Sequence, residues 1–226
     1  MMGLECRYGT PAADQILTNN RYTVGYSYYF RQAKWALEVV SKVEFGTGER
    51  MDDFRPDYRV PELFRVDLED YAGRGYDRGH LIPSVSHHGE WGDNSETFLL
   101  SNICPQEAGF NRGIWRRLEV WVDNMSQYGE VYVISGPIFD FDSGVGRKAG
   151  LPVPDSFFKS VLVEGERGGL KMWSFIFKNE RSDTGLKAGQ VSCRQVERMA
   201  GIELWDALKG EKIDKEKNRI REKLEY

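Results

Sequence analysis

The clearest helical pattern in the chain lies between residues 111 and 129. Its apolar residues recur every three or four positions, which is the spacing of one buried face of an α-helix: Ile114, Leu118, Val122 and Met125. Gly129 follows the last of them, and glycine is typical of a helix C-terminus. The pattern therefore predicts a helix that ends at Gly129.

Five other segments are rich in aromatic and β-branched residues, and glycine and proline separate them. They are RYTVGYSYYF (21–30), KWALEVVSKVEF (34–45), EVYVISGPIF (130–139), FFKSVLVE (157–164) and KMWSFIFK (171–178). The first two lie only a few residues apart, which predicts a hairpin. Together the five segments predict a largely antiparallel sheet.

Two C-terminal segments have a weaker helical pattern. SCRQVERMAGIELWDALKG (192–210) predicts a second helix. The tail EKIDKEKNRIREKLEY (211–226) mixes charges of both signs, and it fits either a solvated helix or a frayed end without a catalytic role. We find no repeat and no low-complexity linker, so we expect one domain over residues 1–226.

Composition narrows the class of protein. The 226 residues are 40% apolar and 13% aromatic, as in globular proteins. No apolar run is long enough to span a bilayer, and the start MMGLECRYGTPAADQ lacks the order of a signal peptide. The sequence leaves the compartment open. Because the formal net charge is −4, any nucleic-acid binding must come from a local patch of arginines.

The chain has three cysteines, Cys6, Cys104 and Cys193, and none of them forms a C-x-x-C pair. This spacing disfavours both a zinc site and a disulfide framework. We expect three buried free thiols, and a Cys6–Cys193 bridge is the alternative.

All three histidines lie between residues 76 and 119. His80 ends the segment GYDRGH, in which Asp77 could orient the imidazole and Arg78 could bind a phosphate. A purely structural histidine is the alternative. His87 and His88 belong to SHHGEWGDN, a polar segment that predicts a surface loop.

On the predicted helix, Asn111, Trp115 and Glu119 are spaced four residues apart and lie roughly on one face. Asn111 and Glu119 thus form a polar stripe along that face. Asn111 also stands at the apparent start of the helix, where asparagine is a good N-cap. The spacing alone leaves both roles open.

Three linked segments carry a resemblance to a known family: DRGH (77–80), LSNICPQ (100–106) and FNRGIWRRLE (110–119). In this order and spacing they resemble the signature of the DNA/RNA non-specific endonucleases, the ββα-metal nucleases that include endonuclease G. GERMDDFRPDYRVP (48–61), SGPIF, VPDSFFK and GIELWDAL resemble further landmarks of the family. The resemblance covers about residues 20–207 and leaves both ends outside.

The resemblance implies an α+β fold, with a mainly antiparallel central sheet flanked by helices and a ββα-metal active site. It also implies hydrolysis of DNA and RNA with Mg²⁺, or with Mn²⁺ as a substitute. By this resemblance His80 is the general base and Asn111 is the metal ligand. Glu119 and Asn102 act on the metal through water and maintain the geometry of the site.

The resemblance also assigns the remaining site residues. Arg78 and Arg50 contact the phosphate, and Asp77 is a structural or orienting acid. Arg55 is the alternative to Arg50, because the upstream segment differs by about one residue in its distance from DRGH.

Such a site explains the scarcity of carboxylates at metal-cage spacing. Magnesium keeps several waters, so one amide oxygen and the substrate phosphate can suffice. His80 would take a proton from water, and the hydroxide would attack phosphorus to leave a 5′-phosphate. The metal would stabilise the leaving 3′ oxygen, and arginines would offset charge on the phosphoryl oxygens.

Three alternatives to this function remain at the level of sequence. The first is a catalytically inactive nucleic-acid-binding relative, although both His80 and Asn111 are present. The second is a serine hydrolase that uses Ser84 or Ser86, but the chain has no G-x-S-x-G segment. The third is a nuclease toxin or effector with a cognate inhibitor protein. The sequence does not decide between a monomer and a homodimer.

Overall fold

The computed structural model describes residues 3–41, 52–73, 75–84, 91–140, 150–165 and 168–224. Its centre is a seven-stranded, antiparallel sheet with the strand order β1-β2-β3-β6-β7-β8-β9. The strands are β1 (Gln15–Thr18), β2 (Tyr22–Ser27), β3 (Gln32–Val40), β6 (Val131–Ile138), β7 (Ser156–Glu164), β8 (Leu170–Lys178) and β9 (Gln190–Val191). The predicted hairpin is the β2–β3 pair, so the predicted antiparallel sheet is confirmed.

A second, two-stranded sheet pairs β4 (Asp77–His80) with β5 (Ile103–Gln106). The α-helices are α1 (Trp91–Glu96), α2 (Ala108–Phe110), α3 (Arg116–Met125), α4 (Cys193–Ala200) and α5 (Glu211–Asn218). A π-helical turn, Asn111–Trp115, joins α2 to α3. Shorter 3₁₀ turns span Leu4–Tyr8, Leu68–Tyr71, Leu100–Asn102, Ser126–Tyr128 and Leu186–Gly189.

Side chains alternate along each strand, so the central sheet has apolar side chains on both faces. Both faces are covered by other elements. One face packs against the helix of the predicted 111–129 segment, through Ile114, Trp115 and Leu118. The other face packs against the first 3₁₀ turn and α4, through Tyr8 and Val196. Helices therefore flank an antiparallel sheet, and the predicted α+β fold is confirmed.

The C-terminal predictions need correction. Within 192–210 the helix stops at Ala200, because Gly201 is left-handed (φ 66°) and closes it. The tail forms helix α5, which is one of the two predicted alternatives and is mostly exposed, but its Glu216 and Lys217 side chains are buried. Glu216 accepts a hydrogen bond from the backbone N–H of Met172 at 2.9 Å. A charged side chain of the tail thus anchors it to β8 by a specific hydrogen bond.

Cys6, Cys104 and Cys193 are all free thiols, and the Cys6–Cys193 bridge is not formed. Cys104 and Cys193 are buried as predicted, but Cys6 is only half-buried. Among the described residues, no helix has both the length and the apolar content needed to cross a bilayer.

Candidate active site

Two antiparallel strands and one helix form the core of the site. In the β4–β5 pair, Gly79 lies opposite Cys104 and His80 opposite Ile103. A Cβ atom at position 79 would lie 2.1 Å from the side chain of Gln106. A larger residue at position 79 would therefore have to displace the buried Gln106 side chain.

The helix after β5 begins earlier than the sequence indicated. Glu107 is its N-cap, and its carboxylate accepts from the backbone N–H of Phe110 at 2.7 Å. Asn111 has helical backbone angles, and its own N–H donates to the Glu107 carbonyl at 2.9 Å. Asn111 is therefore not the N-cap, and its side chain is available for another role.

Asn111 opens the π-helical turn, a feature that often occurs at functional sites. Its Nδ2 donates to Asp77 Oδ2 at 3.0 Å. Arg112 holds the same carboxylate with two hydrogen bonds, from Nε at 2.9 Å and from a terminal nitrogen at 2.8 Å. Because a carboxylate can only accept, the nitrogen of the Asn111 amide must face Asp77. Its oxygen is thereby turned away from Asp77 and is available to a cation.

His80 lies in an aromatic environment at the end of β4. Its ring centroid is 5.5 Å from that of Phe54 and 4.9 Å from that of Phe98. Its backbone carbonyl accepts a hydrogen bond from Nε1 of the buried Trp115 at 3.3 Å. Trp115 thus ties the strand that carries the histidine to the helix that carries Asn111.

Arg78 is exposed, and its guanidinium carbon lies 4.2 Å from the centroid of the Phe54 ring. This cation–π contact leaves the edge of the guanidinium open to a phosphate. Arg50 lies outside the described residues. Its rival Arg55 donates to the Asp53 carboxylate at 2.7 Å and to the Ser95 carbonyl at 2.9 Å. These contacts tie the segment that contains Asp53 and Arg55 to helix α1.

Asn102 is fully buried and bonds only to backbone in the described part of the chain. Its Oδ1 accepts from Ile82 N–H at 3.0 Å, and Nδ2 donates to the carbonyls of Ile82 and Thr97. Since both amide hydrogens are used, Asn102 holds the chain just after His80. The contacts support its expected role in geometry and leave no amide hydrogen for water.

Glu119 lies two helical turns after Asn111 and is half-buried. Desolvation raises the pKa of Glu119 to about 7, and the nearby ammonium group of Lys159 opposes that rise. Lys159 is buried, with its own pKa lowered by the same burial. It donates to Ser135 Oγ at 2.7 Å and lies 4.7 Å from the Trp115 ring.

The donor set suits a hard divalent cation held mainly by water and substrate. Within the described residues no three His, Cys, Asp or Glu side chains converge as a metal cage. Among the predicted site residues that the structure describes, Asn111 could offer a cation its amide oxygen. An ion such as Mg²⁺, which retains several waters, fits so sparse a set.

Sequence reasoning missed Phe54, Glu107 and Lys159. Phe54 contacts both Arg78 and His80, and Lys159 lies beneath the helix. The strand alternation in FFKSVLVE gave a signal for Lys159, because that position shares a sheet face with Phe157 and Val161.

A strand pair followed by a helix, with a histidine on a strand and an oriented asparagine on the helix, defines the ββα class of nucleases. The comparisons agree with this class. The family model for DNA/RNA non-specific endonuclease matches residues 4–211. The chain belongs to the DNA/RNA non-specific endonucleases, a family that is in general metal-dependent, and it is a nuclease.

Several relatives cover most of the chain. It is 32% identical over 222 residues to a nuclease of Syncephalastrum racemosum, covering 88% of this chain and 69% of the relative. It is 30% identical over 211 residues to human mitochondrial endonuclease G, covering 87% and 71%. A crystal structure of the EndoG/EndoGI complex matches with a TM-score of 0.81 and 30% identity, covering 91% of both chains.

Proposed function

We propose that this nuclease hydrolyses phosphodiester bonds of both DNA and RNA and leaves 5′-phosphate ends. The observation that carries the proposal is the Asp77 carboxylate, which fixes the amide of Asn111 on the helix that Trp115 ties to His80. A carbonyl oxygen aimed at a cation and a histidine on the adjoining strand are the two groups that such hydrolysis needs.

His80 acts as the general base in this mechanism and removes a proton from the attacking water. The apolar rings of Phe54 and Phe98 limit how the imidazole can turn. Arg78 contacts the phosphate and offsets the negative charge that accumulates on its oxygens. Glu119 orients water near the Asn111 oxygen.

Asn111 Oδ1, together with the substrate phosphate, would hold a single Mg²⁺ or Mn²⁺, which would supply positive charge opposite the leaving 3′ oxygen. All of these residues address water, cation or phosphate, and such contacts carry no direct sequence information. We therefore expect cleavage with little preference for base or sugar.

An inhibitor protein is a further proposed partner. Support comes from the EndoG/EndoGI complex, whose nuclease has the same fold as this chain. A role as a toxin or effector would include such a partner. Acidic groups that mimic the substrate phosphates would give the inhibitor its affinity.

Digestion of supercoiled plasmid and of RNA, each with Mg²⁺ and with excess chelator, tests the proposal. We expect both polymers to be degraded with Mg²⁺ and neither with chelator. Undiminished cleavage in chelator would contradict the cation role, and degradation of RNA alone would contradict the proposed substrate range.

A further inference from the structure

A basic cleft lies beside the helix that carries Asn111. It has a volume of about 470 Å³ and is bounded by that helix on one side and by residues 181–183, after β8, on the other. Its charged lining consists of Arg112, Arg117, Arg181 and Asp183. Asp77, His80 and Asn111 are not among its lining residues, and Arg117 and Arg181 have no part in the site described so far.

Hydrogen bonds hold the Arg117 side chain in the cleft, and packing places the stem of Arg181 beside it. One terminal nitrogen of Arg117 donates to the Ser182 carbonyl at 3.2 Å and to the Thr184 carbonyl at 3.0 Å, which ties the two walls together. A Cβ atom at Gly109 would lie 2.8 Å from the Arg181 Cβ. Glycine at 109 therefore lets the Arg181 stem lie against the start of the helix.

The charges in the cleft are only partly neutralised. Arg181 lies 3.5 Å from Asp183, but their side chains are 76% and 84% exposed, so the pair contributes little and can yield to a ligand. In the part of the chain that the structure describes, no carboxylate is within ion-pair distance of Arg117. Arg112 is already paired with Asp77, and Arg181 is weakly paired with Asp183, so Arg117 is the arginine of the lining that has no carboxylate partner among the described residues.

These features select the chemistry of the ligand. Guanidinium groups match phosphate oxygens in geometry and charge. Arg117 uses a single nitrogen for its two carbonyls, so its other nitrogens keep their hydrogens for a ligand. The charged residues and glycines of the lining suit an anionic strand rather than an apolar molecule.

The cleft is also continuous with the active site. Arg112 lines the cleft and at the same time holds Asp77, the carboxylate that orients Asn111. A strand whose reacting phosphate lies at Asn111 could therefore extend past Arg112 toward Arg117 and Arg181.

We propose that the Arg117–Arg181 cleft is a subsite for a backbone phosphate next to the one that is cleaved. The inference rests on the proposed function and deepens it, since it assigns part of the substrate strand to named residues. Its consequence is a preference for substrates long enough to reach the cleft.

The test uses the full chain and the double variant Arg117→Gln/Arg181→Ala. Initial rates are measured on a single-stranded oligonucleotide of twelve residues and on a dinucleotide, over a range of salt concentrations. Arg219→Ala is the matched control, because it removes an exposed arginine (57%) with a similarly long ion pair (3.7 Å) from the C-cap position after α5. Circular dichroism establishes that all variants are folded.

For the oligonucleotide we expect kcat/KM to fall about tenfold in the double variant, mostly through KM, as exposed charge-assisted contacts are lost. The fall on the dinucleotide should be smaller than about twofold, because it cannot reach the cleft. The salt slope of log KM should decrease by about 0.7 for each lost phosphate contact to a single strand. The control should match wild type on both substrates.

Equal losses on both substrates, or a salt slope equal to that of wild type, would overturn the subsite. The alternative that the cleft binds an acidic protein is tested with poly-L-glutamate as a competitor. If the double variant is no longer inhibited by poly-L-glutamate but cleaves the oligonucleotide as wild type does, the cleft binds acidic protein and not substrate. If the wild-type protein cleaves neither plasmid DNA nor RNA with Mg²⁺, the proposed function itself is wrong. That outcome is distinct from a failure of the subsite alone.

Discussion

Replacement of Asp77 by asparagine isolates the step by which the protein prepares its cation ligand. In the structure the carboxylate accepts from Asn111 Nδ2 at 3.0 Å, so only one orientation of that amide is satisfied. An asparagine at position 77 offers both a donor and an acceptor. Both orientations of the Asn111 amide can then form a hydrogen bond to residue 77. The contact therefore no longer selects the orientation in which the Asn111 oxygen is turned away from residue 77.

The size of the effect follows from the strength of the lost contact. A hydrogen bond to a charged group contributes about 1.5–3 kcal/mol, or about 10–100-fold in an equilibrium constant. The Asp77 side chain is only 21% exposed, so solvent weakens this contact little. We expect the Mg²⁺ concentration for half-maximal cleavage to rise about 10–100-fold, the range typical of changes just outside the ligand shell.

The assay is the initial rate of plasmid nicking at saturating substrate, as a function of Mg²⁺. The Asp77→Asn variant should recover most of its plateau rate at high Mg²⁺. Arg112→Gln is the matched control, since it removes the other partner of the same carboxylate. Its side chain is 74% exposed, and solvent screens an exposed ion pair, so the Mg²⁺ requirement of this variant should shift less than about fivefold. An unchanged requirement in Asp77→Asn, or equal shifts in both variants, would refute the reasoning.

Three further substitutions separate the roles of base, ligand and water-orienting acid. His80→Ala should lower turnover about 10²–10⁴-fold with Mg²⁺ affinity, measured by calorimetry, nearly intact; near-native cleavage would exclude the base role. Asn111→Ala should lose activity that added Mg²⁺ partly restores, and a loss that no Mg²⁺ concentration reduces would argue against a ligand. Because the folded pKa of Glu119 is about 7, above its ordinary value, Glu119 stabilises the fold when neutral and loses that contribution as pH rises through 7. Glu119→Gln should therefore unfold at higher urea than wild type at pH 8, by up to about 3 kcal/mol, yet turn over about 10–100-fold more slowly; equal stabilities at pH 8 would contradict this.

Local patterns predicted the elements that form the site. The spacing of Ile114, Leu118 and Val122 gave the helix because those residues pack on one sheet face. The aromatic and β-branched segments gave the strands for the same reason. Asn111 and Glu119 could be placed on this helix from spacing alone.

The remaining features depend on contacts between distant parts of the chain. The helix start at Glu107 could not be predicted, because it depends on a residue far along the chain. The Glu107 N–H donates to Oδ1 of Asn179. Lys159 is buried only because Ser135 and Trp115 meet it from two other elements. The many charged residues of the tail suggested that it is solvated. Lys217 is nevertheless buried, and its Nζ forms an ion pair of 2.9 Å with Glu197 of helix α4. Pairs of side chains that are distant in the sequence can be identified only from the three-dimensional structure.

The most direct test of the account is the fate of the attacking oxygen. Wild-type enzyme cleaves a DNA and an RNA oligonucleotide of matched sequence with Mg²⁺ in H₂¹⁸O, under conditions of single turnover, and mass spectrometry identifies the ends. We predict one ¹⁸O atom in a 5′-phosphate and a 3′-hydroxyl on the other fragment, for both polymers, because external water is the nucleophile. A 2′,3′-cyclic phosphate or a 3′-phosphate, or an unlabelled 5′-phosphate, would contradict the roles assigned to His80 and Asn111.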